Sequence, residues 1–230
     1  NHICRIFFLN VNGIPTSLLQ NTTTCASYYN KLRCLGQQMD DKSIDIAGFS
    51  ETSLDWSSPN IRYLFRKNIN DYTPGSISVE SDSTIRYSSG HKPGGTATVV
   101  HSKWASRVTN RFNDKYGRWS GVTLTGLEGC ECHLLTIYQA NFTNISLHPK
   151  SFYAQQRSMF LQEGRNCIDC RQNFRTDLYQ LLDGLITPTS AVILGGDFNC
   201  PLCNPSHSLS HLLLTMGLVD VHQYKHPTLQ

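Results

Sequence analysis

The chain contains no long hydrophobic run. Hydrophobic types make up 39% of its 230 residues, yet no stretch approaches the roughly 18 consecutive apolar residues that a membrane-spanning helix needs. The opening segment, NHICRIFFLNVNG, has neither a basic start nor a small-residue cleavage site, so it predicts a buried strand and not a signal peptide. Low-complexity tracts, fixed-period repeats and domain-boundary signals are lacking as well. The sequence therefore predicts one globular domain over residues 1–230, with no membrane partner.

The chain also lacks a strong excess of either positive or negative charge. The chain has 20 Lys and Arg residues against 17 Asp and Glu residues, which gives a formal net charge of +3. This balance permits a polyanionic partner without requiring one. The basic residues that fall together in one stretch are Lys103, Arg107, Arg111, Lys115 and Arg118. They form either a ridge that faces phosphates or an ordinary solvated surface.

Cysteine is plentiful by comparison, but its number, nine, is odd, so at least one thiol is unpaired within the chain. A chain of this length does not need a disulfide scaffold, and we predict reduced thiols in an intracellular protein. Two C-x-x-C pairs invite a zinc site: Cys167 with Cys170, and Cys200 with Cys203. The spacing between the pairs exceeds that of the common zinc pattern, which favours separate thiols over a structural zinc.

Hydrophobic periodicity indicates strands that alternate with helices. The predicted strands span residues 3–9, 44–49, 96–100, 122–127, 133–138 and 191–194. The predicted helices span residues 25–39, 150–186 with an interruption at 164–171, and 208–216. Residues 53–95 are rich in Ser, Pro, Gly and Asp and predict loops and short strands. A strand–helix unit at each end of the chain predicts an α/β fold with helices packed outside sheets.

Carboxylate and amide side chains stand at the ends of three predicted buried strands. Asn10 follows the first strand, Glu51 the second, and Asp197 the strand that runs into Gly-Gly-Asp-Phe-Asn. Strand ends of an α/β sheet share one rim, where ligand sites commonly form. Mg²⁺ takes one or two carboxylates together with waters and phosphate oxygens, and an amide can contact phosphate without adding negative charge. The pattern indicates a site for a hard cation and a phosphate.

Further residues belong to the same rim. Tyr138 ends a fourth strand, and Asn141 lies just beyond it. Asp197 precedes Asn199 by two residues, a spacing that puts both side chains on one face of an extended segment. The two glycines before Asp197 allow close approach of the backbone. Each residue taken alone could also be a helix cap, a turn former or a packing residue. The string Gly-Gly-Asp-Phe-Asn at the end of a strand is harder to explain in this way, and it favours a functional site.

Taken in chain order, these strand ends form a series of motifs: Leu9 to Gly13, Phe49 to Thr52, Ile137 to Asn141, and Gly195 to Asn199. The series resembles that of the exonuclease–endonuclease–phosphatase superfamily. Within it, the sequence is most similar to the endonuclease domain of non-LTR retrotransposons. Additional segments that share this likeness are Gly94 to Thr96, Asp114 to Trp119, Gly217 to His222, and His226 with Pro227. The resemblance covers nearly the whole chain.

The resemblance implies a four-layer α/β sandwich with two facing mixed sheets flanked by helices and the site at their shared rim. It implies that Glu51 binds Mg²⁺ or Mn²⁺, with Asn10 beside it on the metal and the phosphate. Asp197 would orient and deprotonate the attacking water. The residues implied to hold the scissile phosphate and its developing charge are Tyr138, Asn141 and Asn199.

The same resemblance implies a biological role. The product would be a nick in DNA with a free 3′-hydroxyl, which a reverse transcriptase domain of the same parent polyprotein would extend. Such a protein is expected inside the cell with access to the nucleus.

The sequence departs from the family pattern near its C-terminus. Family members carry an Asp before the last core strand and then a Ser-Asp-His motif, and none of the nine histidines stands in a matching context. The chain also begins at Asn1, which suggests a piece of a longer polypeptide. We expect a sandwich that is incomplete at the C-terminus, with uncovered strand edges and little or no activity.

Two other interpretations remain open besides a zinc-stabilised interaction domain. The same fold could serve an abasic-site repair nuclease, a secreted deoxyribonuclease or an inositol-phosphate phosphatase, because the metal and water machinery would be shared. Alternatively, the chain is a non-catalytic remnant that binds nucleic acid.

Overall fold

The structure is a computed structural model that describes residues 3–15, 31–82, 92–165, 169–202 and 208–225. Its strands are β1 (Ile6–Asn10), β2 (Ile46–Ser50), β3 (Ile77–Ser81), β4 (Thr96–Val100), β5 (Val108–Asn113), β6 (Trp119–Thr125), β7 (Glu131–Tyr138) and β8 (Ser190–Asp197). Its helices are α1 (Lys31–Asp41), α2 (Pro59–Asn70), α3 (Ser102–Ala105), α4 (Phe152–Gln162), α5 (Cys170–Leu185), α6 (Ser208–Thr215) and α7 (Val221–Lys225).

Among the described residues, the strands form two mixed sheets of four strands each. The first has the order β1-β2-β4-β3, with β1 and β2 parallel and the remaining neighbours antiparallel. The second has the order β5-β6-β7-β8, with only β7 and β8 parallel. Each sheet thus carries a parallel pair at one edge. The carboxyl ends of such a pair lie at the same rim, which is where the predicted site residues follow their strands.

The two sheets pack face to face and are covered by helices on their outer faces. The apolar interior between the sheets contains Ile46, Val79, Val100, Val122, Leu124 and Leu134. Helices α1 and α2 cover the first sheet, and α5 and α6 cover the second. Strand β1 contacts β8, and β2 contacts β7, so the two parallel pairs face each other. The predicted four-layer α/β sandwich with two facing mixed sheets is confirmed.

Glycines allow the parallel pairs to approach closely. A Cβ atom on Gly195 of β8 would lie 2.1 Å from the ring of Phe8, and one on Gly48 of β2 would lie 2.4 Å from the same ring. The aromatic ring of β1 therefore occupies the space that two side chains would need. This confirms that a glycine before Asp197 serves a close approach, and it brings β1, β2 and β8 together beneath their carboxyl ends.

The prediction of loops and short strands for residues 53–95 is wrong for α2. Ser58 caps this helix by accepting a hydrogen bond from the Ile61 amide, and Pro59 occupies its first turn. Phe65 and Ile69 are four residues apart and buried against α1 and the first sheet. The start signal and the helical spacing were both present in the sequence. The abundance of Ser, Pro and Asp around them obscured the pattern.

Other predicted elements are found with adjusted bounds. The long helical stretch divides into α4 and α5, and Gly164, with a φ of 69°, lies just past the end of α4. The last predicted helix corresponds to α6. Strand β5 was not predicted because most of its residues are exposed and it lacks apolar alternation. Cys25 and Tyr28, which belonged to the first predicted helix, lie outside the described residues.

The interpretation of the basic stretch as a phosphate-facing ridge is wrong for Arg118, whose side chain is 1% exposed and ion-paired with Asp114 and Asp177. Two of its other members are also paired, Lys103 with Asp45 and Lys115 with Glu163. Because these cations are already neutralised within the protein, the stretch offers less free positive charge than its sequence indicates.

An apolar groove of about 480 Å³ runs beside β8. Its apolar lining includes Val192, Leu194, Phe198, Leu202, Leu213 and Leu218. In the part of the chain that the structure describes, β1 and β8 stand at the edges of their sheets. None of the described helices is both long enough and apolar enough to cross a membrane.

Candidate active site

Two carboxylates that are far apart in the sequence converge at the rim of the sandwich. The Asn10 side-chain nitrogen donates hydrogen bonds to Glu51 Oε2 at 2.9 Å and to Asp197 Oδ2 at 2.6 Å. Asn10 and Asp197 are the last residues of β1 and β8, and Glu51 directly follows β2. The structure therefore places both carboxylates within hydrogen-bonding distance of a single nitrogen atom.

The orientation of the Asn10 amide defines how it acts in this arrangement. Its oxygen accepts a hydrogen bond from the Asn12 amide at 2.8 Å, which turns its nitrogen toward the carboxylates. Mg²⁺ is bound by oxygen atoms, and an amide nitrogen carrying two hydrogens offers it no lone pair. Asn10 is thus a bridge between Glu51 and Asp197, and direct contact with a metal would require its amide to turn over.

Tyr138 lies against the same two carboxylates. It ends β7 and pairs in register with Asp197 of β8, and its ring stacks on Phe152 with centroids 5.0 Å apart. Burial, followed by the negative charges of Glu51 and Asp197, raises the pKa of Tyr138 well above its ordinary value. The phenol is therefore protonated, and it donates a hydrogen bond to the Glu51 carboxylate.

Asn199 is held beside Asp197 by a turn. The Asn199 amide donates to Asp197 Oδ1 at 2.9 Å, and its side-chain nitrogen donates to the Gln139 carbonyl at 2.7 Å. The φ of Asn199 is 45°, so the segment after β8 is not the extended one that we predicted. A left-handed residue reverses the chain direction, and the two side chains are brought together by hydrogen bonds instead of by strand alternation.

Asn141 stands apart from the other predicted residues. It is exposed on the segment between β7 and α4, where its carbonyl accepts a hydrogen bond from the Thr143 hydroxyl at 3.2 Å. Among the described residues, its side chain makes no hydrogen bond to the other predicted site residues. The structure thus brings five of the six together and leaves Asn141 on an adjoining loop.

The loops of the site have an unusual backbone. Left-handed φ angles occur at Asn12, Glu51, Ser53 and Asn199, which are four of the six non-glycine residues with positive φ in the described part of the chain. Such a conformation costs about 1–3 kcal/mol per residue and requires surrounding contacts to maintain it. At Glu51, the carbonyl accepts a hydrogen bond from the Gly13 amide at 2.7 Å, which ties the loop after β2 to the loop after β1.

This strain yields a prediction about stability. The Glu51→Gly variant is expected to be more stable than Glu51→Ala, with a free energy of unfolding about 1 kcal/mol larger. The reason is that glycine has no Cβ to oppose a left-handed φ. Both variants lose the same carboxylate, so the comparison isolates the backbone term. Urea unfolding of the two proteins measures the difference. Equal stabilities, or a more stable alanine variant, would contradict a left-handed conformation at this residue.

The donor set fits a hard divalent cation. Within the described residues, neither Glu51 nor Asp197 forms an ion pair, so two neighbouring negative charges are uncompensated. Clusters of three or more His, Cys, Asp or Glu residues suited to a metal are not found in those same ranges. Mg²⁺ needs only one or two protein carboxylates because it retains waters and takes phosphate oxygens. The two carboxylates are therefore sufficient for such an ion.

Sequence reasoning missed two residues that shape the site. Gln139 is fully buried and fixes Asn199 through its carbonyl. Phe152 supports the Tyr138 ring and fills the space above Gly94, where a Cβ would lie 2.3 Å from its ring. The nearness of Gln139 to Tyr138 in the sequence was a usable signal. No signal connected Phe152 with Gly94 before the fold was known.

The zinc interpretation concerns four cysteines, of which Cys167 and Cys203 lie outside the described residues. Cys170 is buried, and its thiol donates to the Tyr153 carbonyl at 3.6 Å. Burial raises the pKa of the Cys200 thiol, which favours the neutral form over the thiolate that zinc requires. A zinc site at these cysteines remains a prediction.

Two facing mixed sheets with converging carboxylates at their shared rim define a class of α/β-sandwich hydrolases that depend on a divalent metal. The chain matches the model of the Endonuclease/Exonuclease/phosphatase family over residues 8–215, and it belongs to that family. A comparison with curated proteins finds no match.

Solved structures share the fold at low sequence identity. An AP endonuclease from Archaeoglobus fulgidus is 17% identical, with a TM-score of 0.56 over 98% of this chain and 76% of its own. A family protein from Leptotrichia buccalis is 14% identical, with a TM-score of 0.53 over 95% of this chain and 74% of its own. The human Nocturnin catalytic domain is 14% identical, with a TM-score of 0.53 over 96% of this chain and 72% of its own.

Proposed function

We propose that this protein is a divalent-metal-dependent phosphodiesterase that nicks DNA. The observation that carries the proposal is the convergence of Glu51 and Asp197 on Asn10, with the protonated Tyr138 beside them. A phosphodiester carries negative charge, and two uncompensated carboxylates would repel it. A bound Mg²⁺ or Mn²⁺ would supply the positive charge that neutralises both carboxylates and phosphate. Glu51 is the residue that we assign to hold this ion.

The remaining residues have roles that follow from their positions. Asp197 accepts hydrogen bonds from Asn10 and Asn199, which fix its carboxylate for accepting a proton from an attacking water. When substrate binds, Tyr138 would turn its phenolic hydrogen from Glu51 to a phosphate oxygen. The Asn199 side-chain amide donates one of its two hydrogens to the Gln139 carbonyl, and we assign the second hydrogen to the phosphate. Asn141, on the adjoining loop, is assigned a contact with the substrate.

The choice of DNA rests on the motif series, which is most similar to the endonucleases of non-LTR retrotransposons. The structural similarity to an AP endonuclease supports a nuclease. The same fold also occurs in a mannosyl-6-phosphatase from Bacteroides thetaiotaomicron. A phosphomonoesterase is therefore the second candidate, and a comparison of substrates separates it from a DNA endonuclease.

For a DNA endonuclease, we also propose a biological role. The nick would prime a reverse transcriptase domain of the same polyprotein, and this role requires access to the nucleus.

The test is cleavage of supercoiled plasmid with Mg²⁺ under single-turnover conditions, with protein in excess so that slow cleavage is detected. Because the sequence predicts low activity, we expect nicked circles to form slowly, and we expect Asp197→Asn to reduce the rate by about 10²–10⁴-fold because it removes the proton acceptor. Asp183→Asn is the matched control, since this aspartate is exposed on α5. Chelation of the metal should abolish cleavage.

Several outcomes would overturn the proposal. Cleavage that persists in Asp197→Asn would assign the activity to a contaminating nuclease. Faster hydrolysis of a phosphate monoester or an abasic-site duplex than of intact DNA would favour the phosphatase or the repair nuclease. Binding of DNA without cleavage at any metal concentration would support the non-catalytic alternative.

A further inference from the structure

Arg171 is a cation beside the site to which the motif series assigns no role. It lies in the first turn of α5, where the Asp169 side chain accepts a hydrogen bond from its backbone amide at 2.9 Å. Its Nη2 atom donates to the Asn199 carbonyl at 3.1 Å and to the Gln139 side-chain oxygen at 3.3 Å. One guanidinium nitrogen thus joins the segment after β7 to the segment after β8.

These two segments carry the reacting groups of the proposed site. Gln139 follows Tyr138, and its backbone amide donates to the Asp197 carbonyl at 2.9 Å. Asn199 donates its backbone N–H to Asp197 and its side-chain N–H to Gln139, and Arg171 takes up its carbonyl. All the backbone polar groups of this left-handed residue are therefore engaged. The turn that aims Asp197 depends on three contacts, of which Arg171 provides the only charged donor described.

The setting makes this contact more than a surface hydrogen bond. Gln139 is fully buried, and among the described residues its side-chain nitrogen has no partner, so its oxygen bond to Arg171 is the contact that orients the amide. Asn199 has a φ of 45°, a conformation that relaxes unless neighbouring contacts retain it. A hydrogen bond from a charged donor in a partly buried site is stronger than one between neutral groups.

We propose that Arg171 is a positioning residue, which fixes Asp197 and Asn199 relative to Tyr138 by clamping the ends of β7 and β8. The inference rests on the proposed phosphodiesterase function for its effect on rate, but the clamp itself is a property of the fold. Removal of Arg171 should let the Asn199 turn relax and the Asp197 carboxylate rotate. Substrate binding should change less than the rate, because Arg171 is assigned no substrate contact and the Asn199 side chain keeps its bond to the Gln139 carbonyl.

Arg171→Met is expected to lower kcat for plasmid nicking by about 10–100-fold with KM changed less than about twofold, the pattern of losing an orienting partner. Exchange of the Asn199 backbone amide with solvent, followed by NMR, should accelerate by about tenfold or more because its bond to Asp197 loosens. Arg171→Lys retains the charge, but its ammonium ends one bond short of the Nη2 position that contacts both oxygens, so it should show both defects. Circular dichroism melting confirms that each variant is folded.

Arg175→Met is the matched control. Arg175 lies one turn further along α5, and its nearest acid is Asp169 at 4.0 Å, so the variant removes the same charge without touching Asn199 or Gln139. We expect normal exchange at Asn199 and a normal kcat. If Arg171→Lys retains full activity, or if Arg175→Met is equally impaired, the role is one of charge and the positioning proposal is wrong.

The two readouts separate this inference from the proposed function. Faster Asn199 exchange in Arg171→Met, in a protein whose wild type cleaves no phosphoester, would support the clamp and refute the phosphodiesterase. Unchanged exchange and unchanged kcat in a folded Arg171→Met variant of an active protein would refute the clamp and leave the phosphodiesterase intact.

Discussion

Replacement of Arg118 by Met is expected to lower the free energy of unfolding by about 3–5 kcal/mol, because it leaves a buried carboxylate without its cation. The Arg118 side chain is 1% exposed. Its Nε atom lies 2.7 Å from Asp114 Oδ2, and its Nη1 atom lies 2.8 Å from Asp177 Oδ2. Asp114 is itself buried, so water cannot replace the guanidinium.

The surroundings of Arg118 connect this stability effect to the site. Its guanidinium lies over the rings of Trp119 and Tyr116, with centroid distances of 4.3 Å and 4.5 Å. Its carbonyl accepts a hydrogen bond of 2.7 Å from the Tyr138 amide. Loss of the side chain should therefore disturb the backbone at the end of β7 as well as the core. Urea unfolding gives the stability, and plasmid nicking gives the functional consequence.

Two variants make this prediction specific. Arg118→Met combined with Asp114→Asn should recover part of the lost stability, because the isolated charge is removed together with its partner. Lys67→Met is the surface control: Lys67 pairs with Asp71, and the two side chains are 43% and 52% exposed, so its loss should cost less than about 1 kcal/mol. A cost for Arg118→Met no greater than that for Lys67→Met would show that the buried network contributes no net stability.

The same buried network makes the stability of the folded protein depend on pH in the acidic range. Burial alone would raise the pKa of Asp177, but hydrogen bonds from Arg165 and the charge of Arg118 lower it below its ordinary value. A carboxyl with a depressed pKa stabilises the folded protein above its unfolded pKa and loses that contribution as the pH falls through the folded value. Asp177→Asn should therefore flatten the stability profile below about pH 4, the range in which an aspartate titrates.

The sequence predicted the layers of this protein better than its loops. Continuous apolar runs such as Ile46 to Phe49 identify strands buried on both faces, and they did so without knowledge of pairing. Helix α2 shows the limit of this reasoning, because the Ser, Pro and Asp residues around its start predict a polar loop. The four-residue spacing of Phe65 and Ile69 indicates a helix only once the sheet against which they pack is known.

The candidate site was predictable in its members but not in their connections. The sequence identifies Glu51 and Asp197 because each stands at the end of an apolar run, and the parallel pairing of β1 with β2 and of β7 with β8 brings them to one rim. The roles of Arg118 and Arg171 could not be predicted, since their partners lie on other elements. A basic residue in a sequence does not indicate whether it faces solvent or bridges buried acceptors, and only the tertiary packing decides this.

Gly196→Ala is expected to lower the free energy of unfolding by about 3–5 kcal/mol and to abolish cleavage, through overpacking and backbone strain together. Gly196 has a φ of 130°, and a Cβ on it would lie 2.1 Å from the Ile137 carbonyl oxygen. Because Ile137 is its register partner on β7, the added methyl group must push the two parallel strands apart.

The strands would separate at Gly196, directly before Asp197, which pairs with Tyr138. The loss of stability and the loss of the site would therefore have the same cause. Gly184→Ala is the matched control, since nothing lies within 4 Å of a Cβ at this position of α5, and it should stabilise the protein by about 0.5–1 kcal/mol. Urea unfolding and plasmid nicking of both variants provide the comparison. A stable and active Gly196→Ala protein would show that β7 and β8 can separate without displacing Asp197, and the site would then not depend on the close approach of these two strands.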